Sequence, residues 1–257
     1  MKFHKILLLL AATVMLTACG SQPDLSELEE WDLVWISDSS GWGVAKIYAA
    51  MVEEDTGIPI NVHDNWVGHL PIKDVLDGMR GTPTPSLTLR QNADLIREAE
   101  IVVIYGNPNG SINERNPGEW DCVPPGPNYV NSCEAETFDS YVDDLKAVYD
   151  LIFELRADQP TIVRTFDAYN PLINEFKEQG VYEECRACWA FYNAAIYEAA
   201  AAFNIPVAQV VRAWNGPNFD QDPSDLGYVK DGIHPNEVGA EVIAQAIRET
   251  GYQPVEP

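Results

Sequence analysis

The segment Ile101-Val102-Val103-Ile104-Tyr105 is apolar throughout, which predicts a strand that is covered on both faces. Short apolar runs predict four more strands, at 33–36, 58–62, 161–166 and 206–211. Apolar residues at helical spacing between these runs predict helices over 42–54, 72–79, 138–156, 184–203 and 236–250. Alternating strands and helices favour right-handed crossovers, so we expect an α/β fold: a three-layer α/β/α sandwich around a parallel five-stranded sheet.

Ligand sites in such sheets form at the carboxyl ends of the strands. Ser39 follows the first predicted strand, and Asn107 follows the third. The loop that leads to Asp231 comes after the fifth strand. These residues should therefore lie along one edge of the sheet.

Asp231-Gly232-Ile233-His234-Pro235 holds a carboxylate three residues before a histidine. On a turn, this carboxylate can reach one imidazole nitrogen and leave the other free to take a proton from a nucleophile. Ser39 is the best-placed nucleophile for this pair. A carboxylate-capped turn at 231–234, and a helix-capping role for Ser39 or Ser40, are the simpler alternatives.

Four short stretches resemble the conserved blocks of the SGNH (GDSL-like) hydrolase family. They are Ser37-Asp38-Ser39, Gly68 after the second strand, Gly106-Asn107 after the third, and Asp231-x-x-His234-Pro235. The resemblance implies a flavodoxin-like fold with Ser39, Asp231 and His234 as the catalytic residues. It also implies an oxyanion hole built from the amides of Ser39 and Gly68 and the side chain of Asn107.

The chain departs from the family pattern in two blocks. Ser37 replaces the glycine of the first block, while Tyr105 and Pro108 replace the glycine and aspartate that flank the donor asparagine of the third. Asn109 is the alternative donor. The missing Gly-x-Ser-x-Gly elbow argues against an α/β-hydrolase of the other main type.

The resemblance implies a serine esterase that acts on a small ester or an acylated carbohydrate, with short-acyl and acetyl esters as the leading substrates. It implies no cofactor and no metal. The altered third block keeps a second hypothesis open, in which the chain is a binding protein on a hydrolase scaffold that has lost activity.

The N-terminal residues predict export. Lys2 and Lys5 precede an apolar run over 6–16, and Leu16-Thr17-Ala18-Cys19 resembles a bacterial lipobox. We therefore expect a signal peptide over 1–18, a lipidated tether over 19–30 that begins at Cys19, and one domain over 31–257. The protein would face the periplasm or the cell exterior. The alternative is a secretory signal with a chance cysteine.

The net charge of −24 excludes nucleic acid and anionic lipid headgroups as plausible partners, because such a surface repels both. Contact with the membrane is expected through the N-terminal lipid only, and the domain is expected to be a monomer. The charge does not identify a substrate.

The remaining cysteines are Cys122, Cys133, Cys185 and Cys188, an even number that favours two disulfides in an exported protein. Proximity in the sequence favours the pairs Cys122–Cys133 and Cys185–Cys188. A zinc site and a redox pair at 185–188 are less favoured alternatives.

Aromatic and histidine side chains near the expected site have two possible roles. Trp42, Trp66 and Trp214 could stack on a sugar, although core or rim packing is the simpler interpretation. His63 and His69 flank the end of the second strand and are expected to be solvated.

Overall fold

The computed structural model describes residues 25–82, 87–108, 134–157 and 159–256. Within them, five parallel strands form one sheet in the order β2-β1-β3-β4-β5. The strands are β1 (Trp31–Ile36), β2 (Ile60–Asp64), β3 (Ile101–Ile104), β4 (Ile162–Phe166) and β5 (Val207–Ala208). This strand order is that of flavodoxin-like folds, so the predicted sheet is confirmed.

The strand register brings the carboxyl ends of β1, β2 and β3 to one edge. Trp35 pairs with Asp64 of β2, and Ile36 pairs with Ile104 of β3. Every residue of β3 is buried, as expected for a central strand with helices on both faces. The loops after these three strands therefore leave the sheet side by side.

Helices form a layer on each side of the sheet. Those described are α1 (Val44–Thr56), α2 (Ile72–Met79), α3 (Leu87–Glu98), α4 (Asp139–Arg156), α5 (Ile173–Gln179), α6 (Tyr182–Ala201), α7 (Val210–Asn215) and α8 (Glu237–Arg248). On one face α8 packs between α1 and α7, whereas on the other α4 packs against α2, α3 and α6. The three-layer sandwich is therefore confirmed.

Helix α1 begins two residues later than the sequence predicts. Gly43 adopts the left-handed conformation (φ 79°) and precedes the first turn, which leaves Trp42 outside the helix. Ser39 therefore does not cap this helix; it begins a separate 3₁₀ turn, Ser39–Gly41.

The fifth strand is shorter than predicted, because the chain turns into α7 at Val210. Asp167, from the end of β4, accepts a hydrogen bond from the Val211 amide at 2.7 Å and so satisfies the start of this helix. A distant carboxylate thus overrides the strand preference of two adjacent valines.

Helices α3 and α5 are also absent from the sequence prediction. In α3, the fully buried residue Asn92 interrupts the apolar face. Its side-chain oxygen accepts a hydrogen bond from Asn65 Nδ2 at 2.8 Å, whereas its own Nδ2 is buried without a partner among the described residues. A half-satisfied polar residue therefore stands where the pattern requires an apolar one.

The folded part of the chain begins before residue 31. Leu25 is buried in the core, and its carbonyl accepts a hydrogen bond from Trp31 Nε1 at 3.0 Å. Leu25 and Leu28 therefore pack onto the domain, and the tether over 19–30 stays a prediction. Among the described residues, no helix is long and apolar enough to cross a membrane.

Cys185 and Cys188 are buried on α6, and each belongs to a disulfide. Cys122 and Cys133 lie outside the described residues, as does Cys19. The pairing of the four cysteines and the lipidation of Cys19 therefore stay predictions.

Candidate active site

The turn after β1 holds Ser39 in a fixed position. Asp38 Oδ1 accepts a hydrogen bond from the Ser40 amide at 2.8 Å, and the Asp38 carbonyl accepts one from the Gly41 amide at 3.1 Å. A Cβ on Gly41 would lie 2.2 Å from Ser37 Oγ, so only glycine fits this close approach. The strand, the buried serine and the glycine together present Ser39 at the sheet edge.

A second turn orients His234. Asp231 Oδ2 lies 2.8 Å from His234 Nδ1, while Oδ1 accepts hydrogen bonds from the amides of His234 (2.8 Å) and Ile233 (3.2 Å). Gly232 has a φ of 87°, which this tight turn requires. The carboxylate thus fixes both the backbone of the turn and the plane of the imidazole.

The surroundings of Asp231 keep its side chain ionised at neutral pH. Partial desolvation raises its pKa, but the hydrogen bonds from the His234 backbone and side chain and from the Ile233 amide outweigh it. The net effect lowers the pKa of Asp231 to about 2. The carboxylate can therefore hold a proton on His234 Nδ1 and leave Nε2 as an acceptor.

The two turns meet at the pair that the sequence predicts. His234 Nε2 lies 3.0 Å from Ser39 Oγ, although 195 residues separate them in the chain. The structure thus brings the Ser39 hydroxyl, the His234 imidazole and the Asp231 carboxylate together in this order. This is the arrangement that activates a serine hydroxyl in hydrolytic triads.

Tyr169 connects the two turns, and the sequence reasoning missed it. Its hydroxyl donates a hydrogen bond to the Ile233 carbonyl at 3.0 Å and also hydrogen-bonds the side chain of Ser40. Its ring stacks on the buried Trp214, with centroids 3.8 Å apart. Its position directly after the fourth predicted strand was the signal available in the sequence.

The loop after β2 lies against the nucleophile turn. The amides of Asn65 and Val67 donate hydrogen bonds to the carbonyls of Trp35 (2.8 Å) and Ser37 (2.9 Å). Gly68 follows in an open turn, where a Cβ would meet no atom within 4 Å. Within the described parts of the chain, its amide and that of Ser39 have no acceptor.

Asn107 is held at the same edge by its backbone. Its amide donates to the Leu70 carbonyl at 2.9 Å, and its carbonyl accepts from the Ile72 amide at 3.0 Å. Its side-chain Nδ2 lies 3.5 Å from Asp38 Oδ2. The structure therefore places Asn107 beside the nucleophile turn, whereas Asn109 lies outside the described residues.

Asp38 lies beneath the site in a buried position. Burial raises the pKa of its carboxyl, while hydrogen bonds from Ser40 and Asn107 act in the opposite direction. Tyr141 and Tyr192 support the loop after β3. Tyr141 Oη donates a hydrogen bond to the Gly106 carbonyl at 2.9 Å, and Tyr192 Oη donates one to Tyr105 Oη at 2.8 Å. These bonds fix the floor of the site.

The three candidate tryptophans differ in how far they are buried. Trp214 is fully buried, whereas Trp42 and Trp66 are 41% and 40% exposed.

His63 lies within β2 and contacts Asp32 at 3.0 Å, so it belongs to the strand and not to a solvated loop. His69 is exposed in the turn after Gly68. Among the described residues, no cluster of His, Cys, Asp and Glu could hold a metal ion.

Comparison with known proteins shows the fold. No protein-family model and no curated protein sequence matches the chain. Among solved structures, a DUF4886 family protein from Bacteroides uniformis superposes with a TM-score of 0.54 at 14% identity, over 89% of this chain and 87% of that one.

Two solved esterases share the same architecture. The acetyl xylan esterase AlAXEase has a TM-score of 0.51 at 17% identity, over 86% of this chain and 99% of its own. The psychrotrophic esterase EstA from Pseudoalteromonas sp., solved with monoethylphosphonate, has a TM-score of 0.50 at 12% identity, over 86% and 96%. The α/β sandwich expected from the SGNH resemblance is therefore confirmed.

Proposed function

We propose that the chain is an SGNH-type serine esterase that cleaves a carboxylic ester through an acyl-enzyme on Ser39. The observation that carries this proposal is the 3.0 Å contact between His234 Nε2 and Ser39 Oγ, together with the 2.8 Å contact between His234 Nδ1 and Asp231. A serine hydroxyl needs such a base to become a nucleophile at neutral pH.

In the proposed mechanism, His234 Nε2 takes the proton of Ser39 as Oγ attacks the ester carbonyl carbon. The tetrahedral intermediate then collapses, the bond to the alcohol oxygen breaks, and His234 returns the proton to the leaving alkoxide. Water attacks the acyl-enzyme in the same way and releases the acid. Asp231 stabilises the imidazolium that forms in both steps.

The oxyanion of each intermediate would be bound by the amides of Ser39 and Gly68 and by the side chain of Asn107. Among the described residues the two amides have no acceptor, and Asn107 Nδ2 lies at the same edge of the sheet, 3.5 Å from Asp38 Oδ2. Losing one such donor typically raises the barrier by about 3 kcal/mol. We therefore expect Asn107→Ala to lower kcat by about a hundredfold.

Short-acyl esters and acetyl esters of carbohydrates are the proposed substrates. AlAXEase, which shares the fold, is an acetyl xylan esterase, and this supports the second class. The proposed chemistry needs no cofactor, since the base, its orienting carboxylate and the oxyanion donors all come from the chain.

A serine-reactive fluorophosphonate probe tests this function. The purified domain should be labelled, and Ser39→Ala should abolish the labelling. Ser40→Ala is the matched control, because it removes a hydroxyl from the adjacent residue of the same turn. If the folded wild-type protein is not labelled, the alternative gains: an SGNH-fold lipoprotein that binds its ligand without cleaving it.

The proposed location is a bacterial membrane, where the domain faces the periplasm or the cell exterior, with lipid on Cys19 after removal of residues 1–18. The lipobox-like residues before Cys19 support this proposal. Cells that express the full chain should incorporate a labelled fatty acid into it, and Cys19→Ser should lose the label and leave the membrane fraction. Membrane association without a label would argue against a lipid anchor.

A further inference from the structure

Two exposed tryptophans lie together beside the site. Trp42 and Trp66 are 41% and 40% exposed, and their ring centroids are 6.0 Å apart at an interplanar angle of 45°. Large aromatic rings are normally buried where the fold allows it, because exposed apolar surface costs free energy. An exposed pair of them indicates a binding surface.

Both tryptophans are attached to the backbone that carries the nucleophile. The Trp42 amide donates a hydrogen bond to the Ser39 carbonyl at 3.2 Å. Trp66 lies between Asn65 and Val67, whose amides donate to the carbonyls of β1 and of Ser37. The two rings are therefore held at a fixed place relative to Ser39, which lowers the entropy lost when a ligand binds.

The acid–base turn contributes a cation to the same surface. Lys230 directly precedes Asp231, and its Nζ lies over the ring of Trp42. Its own amide donates to the His234 carbonyl at 3.0 Å, which fixes it to the turn that holds the base. Each of the loops bearing Ser39, Gly68 and His234 thus supplies one side chain to this surface.

We propose that Trp42, Trp66 and Lys230 bind the sugar ring on the alcohol side of the ester, which makes an acylated carbohydrate the substrate class. This inference rests on the proposed esterase function. The C–H faces of a pyranose ring stack on flat aromatic rings, and an ammonium donates hydrogen bonds to hydroxyl oxygens.

The geometry favours a sugar over a long acyl chain. The two rings are tilted towards each other on the rim of the site, and each leaves about two fifths of its surface in solvent. An acyl chain gains most when it is removed from water on all sides, whereas a sugar gains from one apolar face and keeps its hydroxyls hydrated.

Competition between substrates tests the platform. We would measure kcat/KM for acetylated xylo-oligosaccharide, p-nitrophenyl acetate and p-nitrophenyl octanoate with wild type, Trp42→Ala, Trp66→Ala and Lys230→Met. For each tryptophan variant, the ratio of the oligosaccharide value to the p-nitrophenyl acetate value should fall about tenfold, mainly through KM. Phe219→Ala, which changes an aromatic residue of similar exposure elsewhere, should keep the wild-type ratio.

A binding measurement separates this inference from the esterase function. Ser39→Ala protein should bind unacetylated xylo-oligosaccharide in calorimetry, and the additional change Trp66→Ala should abolish the heat. Equal losses on all esters, or a larger loss on the octanoate, would overturn the sugar platform even if Ser39 reacts with fluorophosphonate. If the folded wild-type protein binds the sugar and is not labelled by fluorophosphonate, the esterase function is overturned instead.

Discussion

Asp167 carries a buried carboxylate whose protonation should control stability at mildly acidic pH. It lies at the end of β4 and is 1% exposed. Burial raises its pKa to about 6, although it accepts hydrogen bonds from the Val211 amide at 2.7 Å and the Tyr197 hydroxyl at 2.9 Å. The perturbation to make is Asp167→Asn, which keeps an acceptor for the Val211 amide and removes the charge.

The magnitude follows from the two pKa values. The ordinary value of 3.8 applies to the unfolded chain, and the folded value is about 6. Between them the folded state binds one more proton, so the stability gained by protonation is fully present below pH 3.8 and is lost as the pH rises through 6. A gap of about two pH units corresponds to about 3 kcal/mol.

The assay is urea unfolding of wild type and Asp167→Asn at several pH values from about 4 to 8. The free energy of unfolding of wild type, measured relative to the variant, should fall by about 2–3 kcal/mol across this range. Tyr197→Phe is the control. It removes a hydroxyl that stabilises the carboxylate, so the free energy of unfolding of this variant should fall more over the same pH range than that of wild type. Parallel pH profiles for wild type and Asp167→Asn would refute the reasoning.

Three further substitutions probe the site itself. Gly41→Ala would place a Cβ 2.2 Å from Ser37 Oγ, so thermal unfolding should show a loss of about 1–3 kcal/mol, and esterase activity should fall with it; an unchanged Tm would contradict the close approach. Tyr169→Phe removes the bond to the Ile233 carbonyl and should lower kcat more than it raises KM. Asp231→Asn should lower kcat by about 10³–10⁴-fold. Because the pKa of Asp231 is about 2, its protonation should not limit wild-type activity above about pH 4.

The sheet and the Asp231–His234 contact of the candidate triad could be predicted from the sequence because both depend on local patterns. Continuous apolar runs such as 101–104 are typical of central parallel strands, and parallel strands send their following loops to one edge. The pairing of Asp231 with His234 is a three-residue contact within one turn. The strand order places the loop after β1 at the same edge of the sheet as the turn that holds His234. Ser39 lies in that loop, so it is the serine expected near His234.

Other features depend on contacts between distant parts of the chain and could not be predicted. Helix α7 begins where a carboxylate from β4 satisfies its amides, 44 residues away in the sequence. The fully buried residue Asn92 in α3 needs Asn65 as its partner before that face can pack. The sequence also does not show which tryptophans remain exposed, since Trp42, Trp66 and Trp214 all lie in loops or short helices near the edge.

The two contacts of His234 differ in the same way: one is local in the sequence, and the other joins distant parts of the chain. The contact of His234 with Asp231 is made within one exposed turn, so any packing of that turn preserves it. The 3.0 Å contact with Ser39 spans 195 residues and depends on what holds the two turns together. Tyr169 and the packing of α1 against α8, the helices that follow the two turns, hold the turns together.

Substitutions at these links should therefore change the distance between nucleophile and base, and leave the base correctly oriented. Asp231→Asn acts in the opposite way, since it disturbs the imidazole tautomer and leaves the turns in place. The two kinds of variant can be distinguished by the pH dependence of fluorophosphonate labelling. Tyr169→Phe should lower the rate by the same factor at every pH, because Asp231 still orients the imidazole, whereas Asp231→Asn should change the shape of the profile, because the imidazolium loses its carboxylate partner.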